Sequence, residues 1–278
     1  MNMHKYFHPF TKLYINSIRR TEFFTMDSMH FHDGYEMYYL TEGSRNIFIE
    51  DDLYKITAGT ILFIKPMEMH YSYTTNDPVH ERFAINFNRE MYGNALTDDE
   101  FSSMVSVFDK RIISLNKEQQ RYVTEFLKIT EKQALNKNSS FSVKSALAGI
   151  MSLCSYFDTI ASEGEQSNED AFIVNAVKYI NESFRNDISL ADVVKIAKLS
   201  ESYFCRQFKK ITGATFLQYL TNIRLREAHN LLVTTKQTIS DIAEISGFSS
   251  TAQMTRAFRQ NYGISPSELK RTGNSKNI

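Results

Sequence analysis

The strongest constraint on the fold of this 278-residue sequence is an internal repeat near its C-terminus. The stretch LSESYFCRQFKKITG, residues 199–213, is followed fifty residues later by SSTAQMTRAFRQNYG, residues 249–263. The two copies share serine, arginine, phenylalanine and glycine at matched positions: Ser200 and Ser250, Arg206 and Arg256, Phe208 and Phe258, Gly213 and Gly263. A repeat of this kind indicates one supersecondary unit that occurs twice.

Each copy predicts a helix, a short turn and a second helix. The first helices begin with capping boxes, in which a hydroxyl residue is followed three positions later by an acid. The second helices begin at an N-cap serine and end at a glycine, and Gly247 provides a tight turn in the second copy. The residues concerned are Ser189 with Asp192, Thr238 with Asp241, Ser200, Ser250, Gly213 and Gly263. A long amphipathic helix, residues 216–232, is predicted to join the copies.

Such a pair of helices predicts double-stranded DNA as a partner, because the second helix of the motif enters the major groove. The expected contacts are Ser202, Cys205, Arg206 and Lys209 in the first copy, and Thr251, Ala252, Thr255, Arg256 and Arg259 in the second. Arg206 and Arg256 are predicted to read bases, since arginine can bind guanine with two hydrogen bonds. Lys209 and Arg259 are predicted to contact phosphates. A rigid joining helix would place the two reading helices about 34 Å apart, so one chain would cover two successive grooves.

The charge distribution agrees with a nucleic-acid partner for the C-terminal part alone. Residues 171–278 hold 15 Lys and Arg against 8 Asp and Glu, whereas the first 170 residues hold 17 against 24. The formal net charge of zero therefore conceals a basic half joined to an acidic half.

The front half has a β pattern between about residues 26 and 87. The aromatic-rich and Ile-rich runs GYEMYYL, RNIFIE, TILFIK and ERFAINF are separated by turn signals at EGS, EDD, TAG and TNDP, which is typical of a barrel or sandwich. Two amphipathic helices follow, in KEQQRYVTEFLKITEKQAL and SVKSALAGIMSLCSYF. They are expected either to pack on the barrel or to form a dimer interface.

Histidines and acids in this half could share one cavity. His30, His32 and Glu36 have the same parity, so an extended strand would point all of them to one face. Together with His70 they could hold a first-row metal ion, or they could hydrogen-bond a small polar ligand. Tyr38 and Ser72 share the parity of Glu36 and His70 and are predicted to line the same pocket.

The sequence predicts an α+β chain of two domains. We expect a β domain with two following helices at residues 1–160, the polar linker ASEGEQSNED within residues 161–171, and an all-α DNA-binding domain at residues 172–273. There is no apolar run of transmembrane length, no secretory leader pattern, and no cysteine framework in the pair Cys154 and Cys205. A cytoplasmic protein without a membrane partner is the expectation.

Residues 172–272 resemble the DNA-binding domain of AraC/XylS-family transcriptional regulators. The resemblance is carried by IAKLSESYFCRQFKKITGATFLQYLTNIRLREAHNLL, by TISDIAEISGFSSTAQMTRAFRQNYGISPSELK, and by the Gly-x-Ser-Pro at residues 263–266. Gln253 and Met254 stand where many members have aromatic residues. The resemblance implies a sequence-specific regulator, more often an activator, that recruits RNA polymerase.

The front half resembles a cupin, the β-barrel that many AraC-type regulators use to bind an effector and to dimerise. His30-x-His32-x3-Glu36-x6-Gly43 fits the first cupin motif, and residues 59–70 resemble the second, with Lys65 and Met67 in place of its usual Pro and Gly. Thr74 also stands where that motif often has Asn.

These resemblances imply a homodimeric activator whose residues 1–160 form a cupin-like effector-binding and dimerisation domain. The implied effector is a small molecule such as a sugar or a related polar metabolite, and neither catalysis nor a cofactor is expected. The alternative is a metal-dependent cupin enzyme or metal sensor that uses His30, His32, Glu36 and His70.

Overall fold

The computed structural model describes residues 14–75, 77–134, 140–157 and 168–274. An antiparallel β domain comes first and a helical domain follows, as the sequence predicts. The strands are β1 (Tyr14–Arg20), β2 (Tyr35–Ile49), β3 (Asp52–Thr57), β4 (Thr60–Ile64), β5 (His70–Thr74), β6 (His80–Phe87) and β7 (Ile112–Ser114). Strand β1 lies before the region that the sequence pattern marked as β.

The helices are α1 (Asp98–Val105), α2 (Lys117–Ala134), α3 (Ser140–Tyr156), α4 (Asn168–Ser183), α5 (Leu190–Ala197), α6 (Glu201–Thr212), α7 (Phe216–Thr234), α8 (Ile239–Ile245), α9 (Thr251–Tyr262) and α10 (Pro266–Asn274). Most of the predicted linker lies outside the described residues, and α4 begins at Asn168, within its last part. Among the described helices, none is both long and apolar enough to cross a bilayer.

Strand β2 organises the barrel because it pairs with four other strands. Its first half pairs with β4 and β6, and its second half pairs with β3 and β5. The predicted turn at EGS, residues 42–44, is wrong: β2 runs through it as one strand of 15 residues, with a register irregularity between Leu40 and Glu42. Gly43 permits this path because its φ is +80°.

The irregularity reverses the parity of the residues that face the interior. Glu36 and Tyr38 face the interior before it, and Arg45 and Ile47 face the interior after it. The other predicted turns are confirmed at residues 50–51, between β2 and β3, and at residues 58–59, between β3 and β4. The TNDP turn joins β5 to β6, although its Asn76 is outside the described residues.

Helices α2 and α3 pack on the outside of the barrel. Val123, Leu127 and Met151 are fully buried in a core with barrel residues such as Phe83 and Ile85. The Tyr39 hydroxyl lies 3.2 Å from the Thr124 hydroxyl and joins β2 to α2. The packing alternative is therefore observed, and a dimer contact through the remaining faces stays a prediction.

The helical domain contains the two helix–turn–helix units that the repeat predicts. Both capping boxes are present, at the starts of α5 and α8, and Gly213 and Gly263 adopt left-handed conformations with φ of 73° at the ends of α6 and α9. Ser250 caps α9 through its side chain, whereas Ser200 occupies the cap position of α6 without a side-chain cap bond. Helix α7 joins the units as expected.

The irregularity in β2 leads to a test of stability. A Cβ on Gly43 would lie 2.0 Å from the backbone oxygen of Val79, and φ would remain in the left-handed region. We expect Gly43→Ala to lower the free energy of unfolding by roughly 2 kcal/mol or more, measured by denaturant titration.

Gly149→Ala is the matched control, because a Cβ there meets only Phe126, at 3.7 Å, within a helix. It should raise stability by about 0.5–1 kcal/mol. Equal stability of the Gly43 variant and the wild type would contradict the role given to this glycine.

Candidate ligand cavity and nucleic-acid interface

The barrel encloses a cavity of about 150 Å³ that combines charged and apolar walls. Strands β2, β4, β5 and β6 supply most of the lining, and the end of β1 and the segment between β1 and β2 supply the rest. The lining residues are Arg20, Phe24, Met26, His30, Glu36, Tyr38, Arg45, Ile47, Ile64, His70, Ser72, His80 and Arg82. Such a partly apolar cavity with a few convergent polar groups has the character of a small-molecule site.

Glu36 and His70 line one end of this cavity and meet His32, which is buried but is not among the lining residues. His32 Nε2 lies 3.1 Å from Glu36 Oε2, and His70 Nε2 lies 3.9 Å from the same oxygen. Asn86 donates a further hydrogen bond of 2.9 Å to it. Asn86 is on β6 and was not identified from the sequence.

Backbone carbonyls orient the two imidazoles. His32 Nδ1 donates to Gly34 O at 2.8 Å, and His70 Nδ1 donates to Glu68 O at 2.9 Å, so both Nε2 atoms face Glu36. One ligand atom from each of His32, Glu36 and His70 lies within 4.8 Å of the others. This donor set, with its second nitrogens fixed by carbonyls, fits a divalent first-row metal ion.

Burial controls the charges in this cluster. Burial, and then the neighbouring His32, lower the pKa of His70 to about 4, so its ring is neutral at pH 7. Burial opposes ionisation of Glu36, but the hydrogen bond with His32 and the electrostatic effects of His32, His70 and His30 together outweigh burial and hold the pKa of Glu36 far below its usual range. The centre of the cluster is therefore a carboxylate that accepts from Asn86 and faces two imidazoles.

The remaining predicted pocket residues also lie in the cavity wall. His30 forms an isolated β-bridge with His70, and the centroids of their rings are 4.2 Å apart. It lies beside the three-residue donor cluster rather than within it. Tyr38 and Ser72 line the cavity, and the roles of all these residues in binding an effector stay predictions.

Three arginines and a histidine in the wall were missed by the sequence reasoning. Arg45 follows the irregularity in β2, so its parity appeared to place it outside. Arg82 and His80 share a face of β6 with Asn86, and Arg20 ends β1. The alternation of His80, Arg82, Ala84 and Asn86 along HERFAINF was the signal that could have found the β6 residues.

The predicted DNA-reading residues lie on the surface of the second helix of each unit. In α6 all of them are exposed: Ser202, Cys205, Arg206 and Lys209. In α9, Ala252, Arg256 and Arg259 are exposed, while Thr251 and Thr255 are partly exposed. Phe208 and Phe258 are buried on the opposite faces. Each helix thus presents a polar, arginine-bearing face to solvent, as a groove-reading helix requires.

The two domains contact each other directly, which the sequence did not indicate. Phe31, Met69 and Tyr71 of the β domain share a buried core with the helical domain. Tyr71 packs against Gly213, where an added Cβ would lie 2.3 Å from the ring. The Tyr262 ring lies 6.0 Å from Phe31.

Glu50, in the turn between β2 and β3, is the polar centre of this interface. Its side chain pairs with Arg226 of α7 and accepts from the Met69 backbone N–H at 2.6 Å. Its backbone carbonyl accepts a hydrogen bond of 3.0 Å from the Tyr219 hydroxyl. One residue therefore connects the start of a cavity strand to the helix that joins the two helix–turn–helix units.

Comparisons with known proteins agree with this architecture. An AraC-like ligand binding domain matches residues 18–129, and a helix-turn-helix domain matches residues 193–272. The lactose operon transcription activator of Staphylococcus xylosus is 26% identical over 239 residues, which are 84% of this chain and 82% of that protein. The transcriptional activator RhaS of an Enterobacter species is 24% identical over 251 residues, 87% of this chain and 86% of its own.

Among solved structures, the C-terminal domain of AraT, a response regulator from Geobacillus stearothermophilus, is 32% identical. The match covers 38% of this chain and 88% of that chain, with a TM-score of 0.36.

A ligand-binding β domain followed by two helix–turn–helix units defines a DNA-binding regulatory protein. The chain belongs to the AraC family of transcriptional regulators, which confirms the resemblance seen in its sequence.

The exposed arginines lead to a test on DNA. With an operator selected from random duplexes, Arg206→Ala or Arg256→Ala should weaken specific binding by about 1–3 kcal/mol and relax preference at one base pair, because a bidentate base contact is lost. Fluorescence anisotropy on the operator and on its single-base variants measures both effects.

Lys209→Ala is the matched control on α6. Loss of a phosphate contact should weaken binding to all sequences alike and reduce the salt slope by about one. If neither arginine variant changed base preference, the assignment of the reading face would be wrong.

The Glu50 interface leads to a test of domain coupling. Arg226→Ala should destabilise the protein by about 1–2 kcal/mol. This is less than for a fully buried ion pair, because both partners are about a quarter exposed and solvent screens their charges. It should also separate thermal unfolding into two transitions, which calorimetry would resolve.

Arg224→Ala, two residues away, removes hydrogen bonds to Phe184 O and Asn186 O inside the helical domain and leaves the interface intact. It should lower the Tm without separating the transitions. A single transition in both variants would mean that the ion pair does not couple the domains.

Proposed function

We propose that this protein is a transcriptional activator that binds operator DNA as a homodimer and responds to a small polar metabolite in its barrel cavity. The effector is a sugar or a related compound, and the DNA-bound form recruits RNA polymerase in the cytoplasm. A relative named as a lactose operon transcription activator supports both activation and a carbohydrate-related effector.

The observation that carries this proposal is that the cavity and the helical domain share a strand. Along β5, His70 and Ser72 face the cavity, while Tyr71 and Tyr73 belong to the buried core shared with the helical domain. A ligand that displaces His70 would therefore also move Tyr71, which packs against the end of α6. Such coupling requires that the ligand bind one domain arrangement more tightly than the other.

The homodimer proposal rests on apolar side chains that the barrel leaves uncovered on α2 and α3. Ile129 is 58% exposed and Phe141 is 79% exposed, although neighbouring residues of the same helices are fully buried. A dimer through these helices would place its contact next to the barrel, where Tyr39 already joins β2 to α2. It would also bring two DNA-binding domains to one operator.

A second candidate function is metal-dependent sensing, favoured by the cluster of His32, Glu36 and His70. The Nε2 atoms of both histidines converge on a carboxylate oxygen, an arrangement that a divalent cation would stabilise. A bound ion would supply positive charge and could coordinate an effector's oxygen atoms. The protein's contribution would be to fix the imidazoles through Gly34 O and Glu68 O.

Selection of random duplex DNA by the full-length protein tests the proposed function directly. We expect an enriched sequence with two half-sites about 10 base pairs apart, because one chain presents two reading helices. The purified protein should then bind that operator with a Kd that a metabolite extract shifts. Enrichment without any sequence preference would remove regulation of specific operators as the function.

Glu36→Gln tests the sensing end of the cavity. The amide keeps the shape of the carboxylate but loses its charge, so the effect of the extract on operator affinity should fall toward none. DNA binding without extract should remain within about twofold of wild type, because α6 and α9 are untouched. An unchanged response would remove Glu36 from the sensor site.

Elemental analysis of the same preparations separates the two candidate functions. Near-stoichiometric metal that His32→Ala abolishes would favour the metal sensor. Metal-free protein with an intact response to the extract would favour an organic effector alone.

A further inference from the structure

The cavity has an excess of positive charge that the proposed function does not use. Arg20, Arg45 and Arg82 all line it, together with His80. Glu36 is the single carboxylate among the described lining residues; it accepts from Asn86 and lies 3.1 Å from His32 Nε2. The described wall therefore holds three arginines against one carboxylate.

Arg45 shows the imbalance most clearly because its side chain is only 1% exposed. Its nitrogens donate to Ser72 Oγ at 3.1 and 2.7 Å, to Thr74 Oγ1 at 3.1 Å and to Phe24 O at 2.6 Å. All of these acceptors are neutral. They satisfy the hydrogen bonds but not the charge, and a buried cation without a counter-ion is costly.

His80 provides a second, independent sign of a missing partner. It is 3% exposed and lines the cavity, and its Nδ1 is buried without a hydrogen-bond partner among the described residues. Burial lowers the pKa of His80, the charges of Arg45, Arg20 and Arg82 lower it further, and a hydrogen bond with the Pro78 backbone opposes these effects. An uncharged ring with an unused nitrogen thus lies in a strongly positive field.

The other arginines are held in place but are not neutralised. Arg82 donates to Asn16 Oδ1 at 2.7 Å, and its guanidinium lies 5.8 Å from the centre of the Tyr38 ring. Arg20 stacks on Phe24, with 3.7 Å between its Cζ and the ring centre. Phe24 and Tyr38 thus position two cations without supplying a negative charge.

We propose that the effector carries an oxyanion, a carboxylate or a phosphate, that binds at the end of the cavity formed by Arg45, Arg82 and His80. The inference rests on the proposed function and makes it specific: the metabolite is an acid or a phosphate ester rather than a neutral sugar. Its hydroxyl groups face Glu36 and His70 at the opposite end. Ser72 lies between the two ends, because it is next to His70 on the inner face of β5 and accepts from Arg45.

The first test uses the smallest probes of each chemistry on the full-length protein. Thermal unfolding is followed during titration with inorganic phosphate, with acetate and with neutral glycerol. We expect at least one anion to raise the Tm in a saturable manner at millimolar concentration, since binding to the native state alone is stabilising. Glycerol should give no saturable shift.

Arg82→Gln and Arg45→Gln show whether the anion binds at this site, and Arg121→Gln, an exposed residue on α2, is the matched control. Both cavity variants should raise the apparent Kd for the anion at least about tenfold, because each removes one of its charged contacts. The control should behave as wild type. Because Arg82 is only partly buried, its variant keeps the test valid if Arg45→Gln fails to fold.

The outcomes distinguish a carboxylic acid from a phosphate ester as the effector, and the oxyanion site from the proposed sensing function. Saturation by acetate alone indicates a carboxylic acid effector, and saturation by phosphate indicates a phosphate ester. No saturable shift, or equal shifts in all variants, would overturn the oxyanion site. If the anion binds but operator affinity does not change, the proposed sensing function is rejected. If a neutral effector changes operator affinity independently of Arg45 and Arg82, only the oxyanion site is rejected.

Discussion

Strand β5 is buried on both faces, and the regulatory architecture depends on this constraint. Its inward residues line the ligand cavity, and its outward residues pack against the helical domain. Adjacent side chains on a strand point in opposite directions but share one backbone, so His70 and Tyr71 cannot move independently. Glu50 strengthens the connection, because it accepts from the backbone at Met69 and pairs with Arg226 on α7.

Helix α7 extends this connection to both DNA-reading units. Tyr219, near its start, donates to the Glu50 carbonyl, and Arg226, two turns further on, pairs with the Glu50 side chain. Because α7 also joins the two helix–turn–helix units, a shift of the barrel turn would be transmitted to both reading helices. The reading faces of α6 and α9 stay exposed in this arrangement. The contact therefore constrains how the reading helices are presented and does not cover them.

The helical domain was the more predictable half because its signals are local. Capping boxes, αL glycines and the periodicity of buried phenylalanines act within a few residues, and the repeat supplied each of them twice. The barrel depended on non-local pairing. A single irregularity near Gly43 joined two predicted strands into β2 and reversed its inner face, so the prediction found Glu36 and missed Arg45. The domain contact left no pattern that could be separated from ordinary core composition.

The cavity combines two charge arrangements that have opposite requirements. At one end, Glu36 is a carboxylate that accepts from Asn86 and lies 3.1 Å from His32 Nε2. At the other end, Arg45 is satisfied in its hydrogen bonds and unsatisfied in its charge. A ligand with a negative group and several hydroxyls would complement both ends, whereas a neutral ligand would leave Arg45 uncompensated. Since β5 contributes His70 to one end and Ser72 between the two ends, such a ligand would contact both inward residues of the strand that packs on the DNA-binding domain. Charge recognition and domain coupling would then depend on the same few residues.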